Sequence, residues 1–426
     1  MSANDYKNSD TFCVLPWNHL CVRPDEALKP CCRYLAVNDA VDNPVNVNLN
    51  DLQQNGISAM NNDYLKKLRQ DLLDGVKRVE CTKCYQQEDA TKGLSDRTSL
   101  RLFHMRGFDP YIKENYTNEF DQVRYIEMSF DNICNLMCRH CSPDYSSVWQ
   151  QAVKRDDQLN ALMINYQTYR KQEDHVKLTD TVIEELSSIS DNLVEVMIAG
   201  GEPLYHDKHY KFIEGLLPNA KNIMLSYNSN LTKIEYKGNS ILDLWKNFKR
   251  VLLRVSIDGD KDCYAYVRVH NDLDKIESNI EQVVELPNTK VSATCTTSIL
   301  NITRLTSVLE YFLSLGVYFH TSLVQYPRAL NPKLLPKELK DTVTAEWNEW
   351  IADIDNNIVK HLKPTRNNDL AMHKKAILQY GNNVINYMNS GNWNQHWDEF
   401  KTYIKAQDDY HGTDVLEVYP EFRPYF

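Results

Sequence analysis

From about residue 122 onward, apolar runs and helical stretches alternate six times, and this alternation limits the fold more than any other feature. The runs are YIEMSFD (125–131), LVEVMIAGG (193–201), NIMLSYNSN (222–230), RVLLRVSIDG (250–259), KVSATCTTSI (290–299) and GVYFHTSLV (316–324). Between them, DTVIEELSSI (180–189), LDLWKNFK (242–249) and RLTSVLEYFLSL (304–315) read as helices. Apolar-rich strands separated by helices predict a parallel sheet covered by those helices. Six such units predict an α/β fold of the partial (β/α)6, TIM-like barrel kind, short of the eight units of a closed barrel.

The flanks have a different texture. Residues 1–121 are expected to form a Cys-rich module, with short strand-like pieces HLCVRP and ALKPCCRY around a turn at Pro24-Asp25. Within it, DYLKKLRQDLLDG (63–75) places Leu65, Leu68 and Leu72 on one helical face and stops at Gly75. The barrel is expected over 122–330 and a helical extension over 331–426. In that extension Val343, Trp347 and Trp350 share one stripe, and Trp393, Trp397, Phe400 and Ile404 another. Aromatic stripes at this spacing read as core-facing. There is no internal repeat.

A formal net charge of -10 disfavours a nucleic-acid partner, which calls for a basic footprint. No run approaches the ~18 apolar residues a membrane span needs, and the polar start MSANDYKNSD lacks a signal-peptide core. A cytoplasmic protein is the expectation.

Eleven cysteines in such a chain point to metal or redox chemistry rather than a disulfide framework. All but Cys263 and Cys295 fall in the first third of the chain. Cys134, Cys138 and Cys141 stand together in CNLMCRHC (134–141), directly after the first strand. Three thiols on one loop leave three readings open: a zinc site lacking its fourth ligand, a disulfide with one thiol over, or a metal site with a deliberate vacancy.

The Cys-x3-Cys-x2-Cys spacing resembles the signature of the radical S-adenosylmethionine superfamily. That resemblance covers roughly 122–330 and implies a [4Fe–4S] cluster with one iron left open for S-adenosylmethionine. It further implies reductive cleavage of the cofactor to a 5′-deoxyadenosyl radical that abstracts hydrogen from substrate. His140 occupies a position where the family usually has an aromatic residue. GGEP ends the second strand: Gly200 and Gly201 would let backbone approach the cofactor, and Glu202 would hold its ammonium. SIDG ends the fourth, where Ser256 and Asp258 are placed to bond ribose hydroxyls. In YAYVR, Arg268 matches an arginine that pairs with the cofactor carboxylate, and Asn228 stands near the family's Thr-Asn-Gly. All lie at or just beyond C-terminal strand ends, where barrels collect their chemistry.

The early cysteines, FCVLPWNHLCVRPDEALKPCC followed by CTKC, resemble the twitch/SPASM auxiliary-cluster module. The resemblance implies Cys13, Cys32, Cys81 and Cys84 as four ligands closing a second [4Fe–4S] cluster. Cys31 is the alternative to Cys32, and Cys21 is a spare thiol or a substitute for Cys13. The module usually follows the barrel and here precedes it, and Glu26 stands where its hairpin often has Gly. Four-cysteine zinc remains open at this point. Trp17 and Pro16 read as packing residues.

His206 and His209 flank Asp207 beside the glycine motif and read as a helix start more than a metal pair. Cys295 reads as a buried thiol, with hydrogen donation the alternative if it points into the barrel. The segment 407–422 is polar enough for a lid or an edge. The resemblance implies a peptide or protein substrate, oxidised or cross-linked, and an external electron donor such as flavodoxin or ferredoxin. A small alcohol or sugar, dehydrogenated or epimerised, is the second reading. A non-catalytic iron–sulfur electron carrier is the third.

Overall fold

The computed structural model describes residues 3–23, 27–35, 47–90, 99–166, 178–324, 326–365 and 368–426. The hairpin turn expected at Pro24, Asp25 and Glu26 lies outside the described residues. By its contacts the chain divides into two units, one of residues 1–131, 175–198 and 208–225, the other of 132–174, 199–207 and 226–426.

In the first unit, strands β1 (His19–Val22), β2 (Ala27–Lys29), β3 (Val47–Asn48), β4 (Tyr125–Met128) and β5 (Glu195–Ile198) take the order β5-β4-β1-β2-β3. β4 and β5 run parallel, as the apolar runs predicted. β1 also pairs parallel with β4, setting His19 opposite Tyr125 and Cys21 opposite Glu127. The Cys-rich segment thus extends the sheet at its first barrel strand, and β2 and β3 continue it antiparallel. Helix α1 (Asp63–Leu73) begins where the Asn62 side chain accepts the Leu65 N–H, and it buries Leu65, Leu68 and Leu72. Helix α2 (Thr82–Ala90) follows the 3₁₀ turn Val79–Cys81.

Strand β6 (Met224–Ser229) begins in the first unit and ends in the second. In the second unit β7 (Arg250–Ser256), β8 (Thr289–Thr297) and β9 (Tyr318–Leu323) pair parallel in that order. Buried and half-buried residues alternate strictly along β8, the period-two pattern of a strand whose two faces differ. Each of the six predicted runs contains one of β4 to β9, and the architecture is the partial (β/α)6, TIM-like one. Beyond residue 331, α3 (Lys337–Ala352), α4 (Leu370–Asn389) and α5 (Trp397–His411) form the helical C-terminal part. Val343, Trp347 and Trp350 on α3, and Trp397, Phe400 and Ile404 on α5, are buried as the stripes predicted. Trp393 lies before α5 and is half-buried. No helix among the described residues is long and apolar enough to cross a membrane.

Candidate active site

The cysteine loop is held by backbone before any metal is considered. The Cys134 N–H donates to Ser147 Oγ at 3.2 Å, and the Cys141 N–H to the Cys138 carbonyl at 3.0 Å. Trp149 Nε1 donates to the Cys138 carbonyl at 2.9 Å. Met137 and Cys138 form a short antiparallel ladder with Val269 and Arg268, so the second thiol residue sits opposite the predicted cofactor arginine. Burial pushes the thiols of Cys134, Cys138 and Cys141 up, the last to about 12.

Glu202 stands at the start of the short turn Pro203–Tyr205 and is 2% exposed. Gly200 and Gly201 before it have φ of +79° and +45°, left-handed conformations that explain two successive glycines. The Glu202 carboxylate accepts Ser229 Oγ at 2.7 Å, the Asn230 N–H at 2.6 Å and the Leu204 N–H at 3.2 Å. All three donors are neutral. Burial pushes the carboxyl up to about 7, against bonds from Asn230, Ser229 and Leu204 that favour the anion. Asn230 also reaches the cysteine loop, its Nδ2 donating to Asn135 Oδ1 at 2.9 Å.

Asp258 is fully buried and heavily used. Its carboxylate accepts the Thr296 N–H at 2.5 Å and Arg268 Nε at 2.6 Å, with His140 Nε2 at 3.4 Å. Burial works against the Arg268 cation, yet Asp258 beside it holds that group above its ordinary range. Burial lowers His140. Gly259 follows because a Cβ there would lie 2.6 Å from Cys263 Sγ and 3.0 Å from the Tyr264 nitrogen.

The predicted residues therefore separate into groups. Glu202 is joined to the cysteine loop through Asn230, and Asp258 and Arg268 form an ion pair next to Cys138. Ser256 is half-buried at the end of β7, its carbonyl 3.5 Å from the Tyr264 hydroxyl. Asn228 is exposed, and it is Ser229 and Asn230 that reach Glu202 from this strand end. Cys295 is buried on β8, its thiol pushed up by burial and then by Asp258. His209 is a core histidine against Phe130 and Tyr210, and Asp207 pairs with Lys237.

In the first unit a cavity is lined by Cys13, Cys31, Cys81 and Cys84, with Leu15, Pro16, Leu68 and Leu100 among its apolar walls. Cys81 closes the 3₁₀ turn and Cys84 lies one helical turn on, so the Cys-x2-Cys pair faces one space. Burial pushes the Cys13 and Cys31 thiols up, and neighbouring sulfurs add to it. Arg101 supports the wall, bonding Glu88 and the carbonyls of Ser9 and Phe12 at 2.8 Å each. Cys32, which the resemblance put in this set, is not at the cavity. Its thiol is pushed up to about 12 by burial and then by Glu127, to which it hydrogen-bonds. Cys31 lines the cavity instead, at the start of a turn in which its carbonyl accepts the Tyr34 N–H at 3.2 Å. Cys21 is buried and senses Glu127 and Cys32. Trp17 is a packing residue, buried and stacked on Phe12.

A single zinc ion, with Zn–S near 2.3 Å, needs its sulfurs within roughly 4 Å of one another. Among the described residues no three His, Cys, Asp or Glu side chains are gathered to hold one metal ion.

The Radical SAM superfamily description matches residues 128–304. No curated protein matches the chain. Among solved structures, native anSMEcpe with bound AdoMet is similar at 16% identity and TM-score 0.37, over 54% of this chain and 61% of that one. SuiB of Streptococcus suis bound to S-adenosylmethionine is similar at 13% identity and TM-score 0.37, over 71% of this chain and 61% of that one. SuiB bound to its precursor peptide SuiA gives 12% identity and TM-score 0.37, over 67% and 60%. The chain thus spans about 60% of the length of these structures. Residues 128–304, which carry the cysteine loop, the Gly-Gly-Glu-Pro turn and the Asp258–Arg268 pair, are a domain of the Radical SAM superfamily.

Proposed function

We propose that the chain is a radical S-adenosylmethionine enzyme that abstracts hydrogen from a peptide or protein side chain, oxidising or cross-linking it. The observation that carries the radical assignment is Glu202: a buried carboxylate held only by neutral donors and linked through Asn230 to the three-thiol loop. A carboxylate so placed can accept an ammonium group that no protein cation already pairs with, and burial would make that pairing strong.

Cys134, Cys138 and Cys141 would hold the cluster. When bound, a [4Fe–4S] cluster and S-adenosylmethionine together supply one electron and a 5′-deoxyadenosyl group, so that hydrogen abstraction leaves methionine and 5′-deoxyadenosine. Glu202 receives the ammonium. Arg268, fixed by Asp258 through Nε, keeps its terminal nitrogens for a carboxylate. Asp258 acts by fixing Arg268, and Ser256 is the residue left to meet a ribose. Cys13, Cys31, Cys81 and Cys84 would close a second cluster. A fully protein-ligated cluster suits electron relay during a two-electron oxidation of substrate, with flavodoxin or ferredoxin as the external donor.

The test is anaerobic incubation with S-adenosylmethionine, a reductant and candidate peptides, followed by measurement of 5′-deoxyadenosine and the product mass. Loss of two hydrogens from a peptide is expected. Gain of solvent deuterium without loss of mass would replace oxidation by epimerisation. Absence of 5′-deoxyadenosine under every condition would remove the assignment.

A further inference from the structure

Arg139 stands between the second and third thiols of the cysteine loop, fully buried, and nearly every polar group it has is held by residues far away in sequence. Its carbonyl accepts the Tyr403 hydroxyl at 2.9 Å and Gln407 Nε2 at 3.2 Å. Its guanidinium donates through Nε to the Tyr266 carbonyl at 2.7 Å, and one terminal nitrogen meets Thr413 Oγ1 at 2.6 Å and Asp408 Oδ1 at 3.0 Å. The same guanidinium lies 3.8 Å from the centre of the Tyr266 ring. The Arg139 backbone N–H donates to the Val267 carbonyl at 2.9 Å.

Asp408 is itself fixed. It accepts the Tyr266 hydroxyl at 2.9 Å, Thr413 Oγ1 at 2.6 Å and the Val415 N–H at 2.8 Å. Tyr403, Gln407 and Asp408 all belong to α5, and Gly412 ends that helix at φ +64°, turning the chain so that Thr413 reaches the guanidinium. The connections span 264 to 274 residues. A surface arginine on such a loop would leave the loop free to move. Here one residue is clamped at both its main chain and its side chain by a single helix.

We propose that α5 is a positioning element of the cysteine loop: by fixing Arg139 at its carbonyl and guanidinium, Tyr403, Gln407 and Asp408 set how Cys138 and Cys141 are presented to one metal group. The polar C-terminal segment is then neither lid nor edge at this point but a brace. The helix does not touch a reacting atom, and its residues act through Arg139. This inference rests on the assignment of the three thiols as cluster ligands.

The experiment compares reconstituted wild-type protein with Tyr403→Phe/Gln407→Leu, Asp408→Asn and Asp408→Glu. The readouts are the electron paramagnetic resonance signal of the reduced cluster with and without S-adenosylmethionine, and its reduction midpoint. Tyr403→Phe/Gln407→Leu keeps the ring and the side-chain volume while removing both donors to the Arg139 carbonyl. We expect it and Asp408→Asn to shift the midpoint and to weaken the cofactor-induced spectral change about tenfold in cofactor concentration. Asp408→Glu should restore part of that change. Lys401→Gln, which breaks the Lys401–Asp398 pair of α5, should match wild type. Variants that unfold earlier on heating but keep the wild-type midpoint and cofactor response would overturn the proposal, as would unaltered spectra throughout. A wild-type protein with no cofactor-responsive cluster would instead remove the ligand assignment beneath it.

Discussion

The two thiol groups differ in what stands beside the sulfur. At the barrel loop three cysteines share their surroundings with Glu202, whose carboxylate meets only hydroxyl and backbone N–H donors. At the N-terminal cavity four cysteines line one space, and the carboxylate there, Glu80, is already committed to Arg78 at 2.6 Å and to the Tyr64 hydroxyl. One region therefore offers three sulfurs and a carboxylate whose hydrogen bonds among the described residues come from neutral donors, and the other four sulfurs and a carboxylate already in an ion pair. The first arrangement suits a metal group with an open position and a cationic ligand nearby. The second suits closed, ligand-insensitive coordination.

The largest expected effect comes from deleting one region. Replacing Cys134, Cys138 and Cys141 by Ala should abolish 5′-deoxyadenosine formation while leaving about half of the roughly eight irons of the reconstituted protein. Iron analysis and product chromatography check both halves. Complete loss of iron would mean that the two regions are not independent.

Next in size is the choice between adjacent thiols. In the background lacking the barrel cysteines, Cys31→Ser should remove the remaining iron–sulfur absorption, whereas Cys32→Ser should keep it. The reverse result would restore Cys32 as ligand and require the Pro30–Tyr34 segment to turn over. Zinc in place of iron would make the N-terminal group structural and leave the barrel untouched.

Glu202→Gln sharpens the role of charge. Loss of a charged hydrogen bond of ~1.5–3 kcal/mol should weaken S-adenosylmethionine binding roughly ten- to a hundred-fold, measured by calorimetry. Because burial raises the carboxyl to about 7, the wild type should bind more weakly as pH falls below that value, by about tenfold per unit. The Gln variant should lose this slope. Stability carries the opposite sign: a folded pKa raised from 4.5 to about 7 gives stability that is present below about pH 4.5 and is lost as pH rises through about 7.

The smallest effect separates neighbours on β6. Ser229→Ala removes one donor to Glu202, at a cost of ~1 kcal/mol or about fivefold in cofactor affinity. Asn228→Ala, at an exposed position, should change it by less than about twofold.

How much of this was legible in sequence depends on distance along the chain. The six strands could be read because apolar runs and stop residues are local, and GGEP and SIDG because their glycines answer to nearby backbone: positive φ at Gly200 and Gly201, a 2.6 Å approach at Gly259. Face was harder. Asn228 and Ser229 differ by one residue on β6, where one residue reverses the side to which a strand points. Cys31 and Cys32 fall in a turn, where that alternation does not apply. Asp258 illustrates a third limit, since its residue type suits ribose hydroxyls equally well, and only the fold shows it bonded to Arg268 and Thr296. The Arg139 clamp had no local signal at all: its partners on α5 lie more than 260 positions away, in a helix whose aromatic stripe reads as plain core.

The central claim is that the barrel loop leaves room for S-adenosylmethionine on its metal group while the N-terminal cavity does not. The most direct measurement is the electron paramagnetic resonance spectrum of the dithionite-reduced, reconstituted protein before and after adding S-adenosylmethionine. It is taken on wild type and on the variant lacking Cys134, Cys138 and Cys141. The account predicts two reduced cluster signals in the wild type, one of which moves with the cofactor, and a single unmoving signal in the variant. A variant whose remaining signal still responds to S-adenosylmethionine would contradict it.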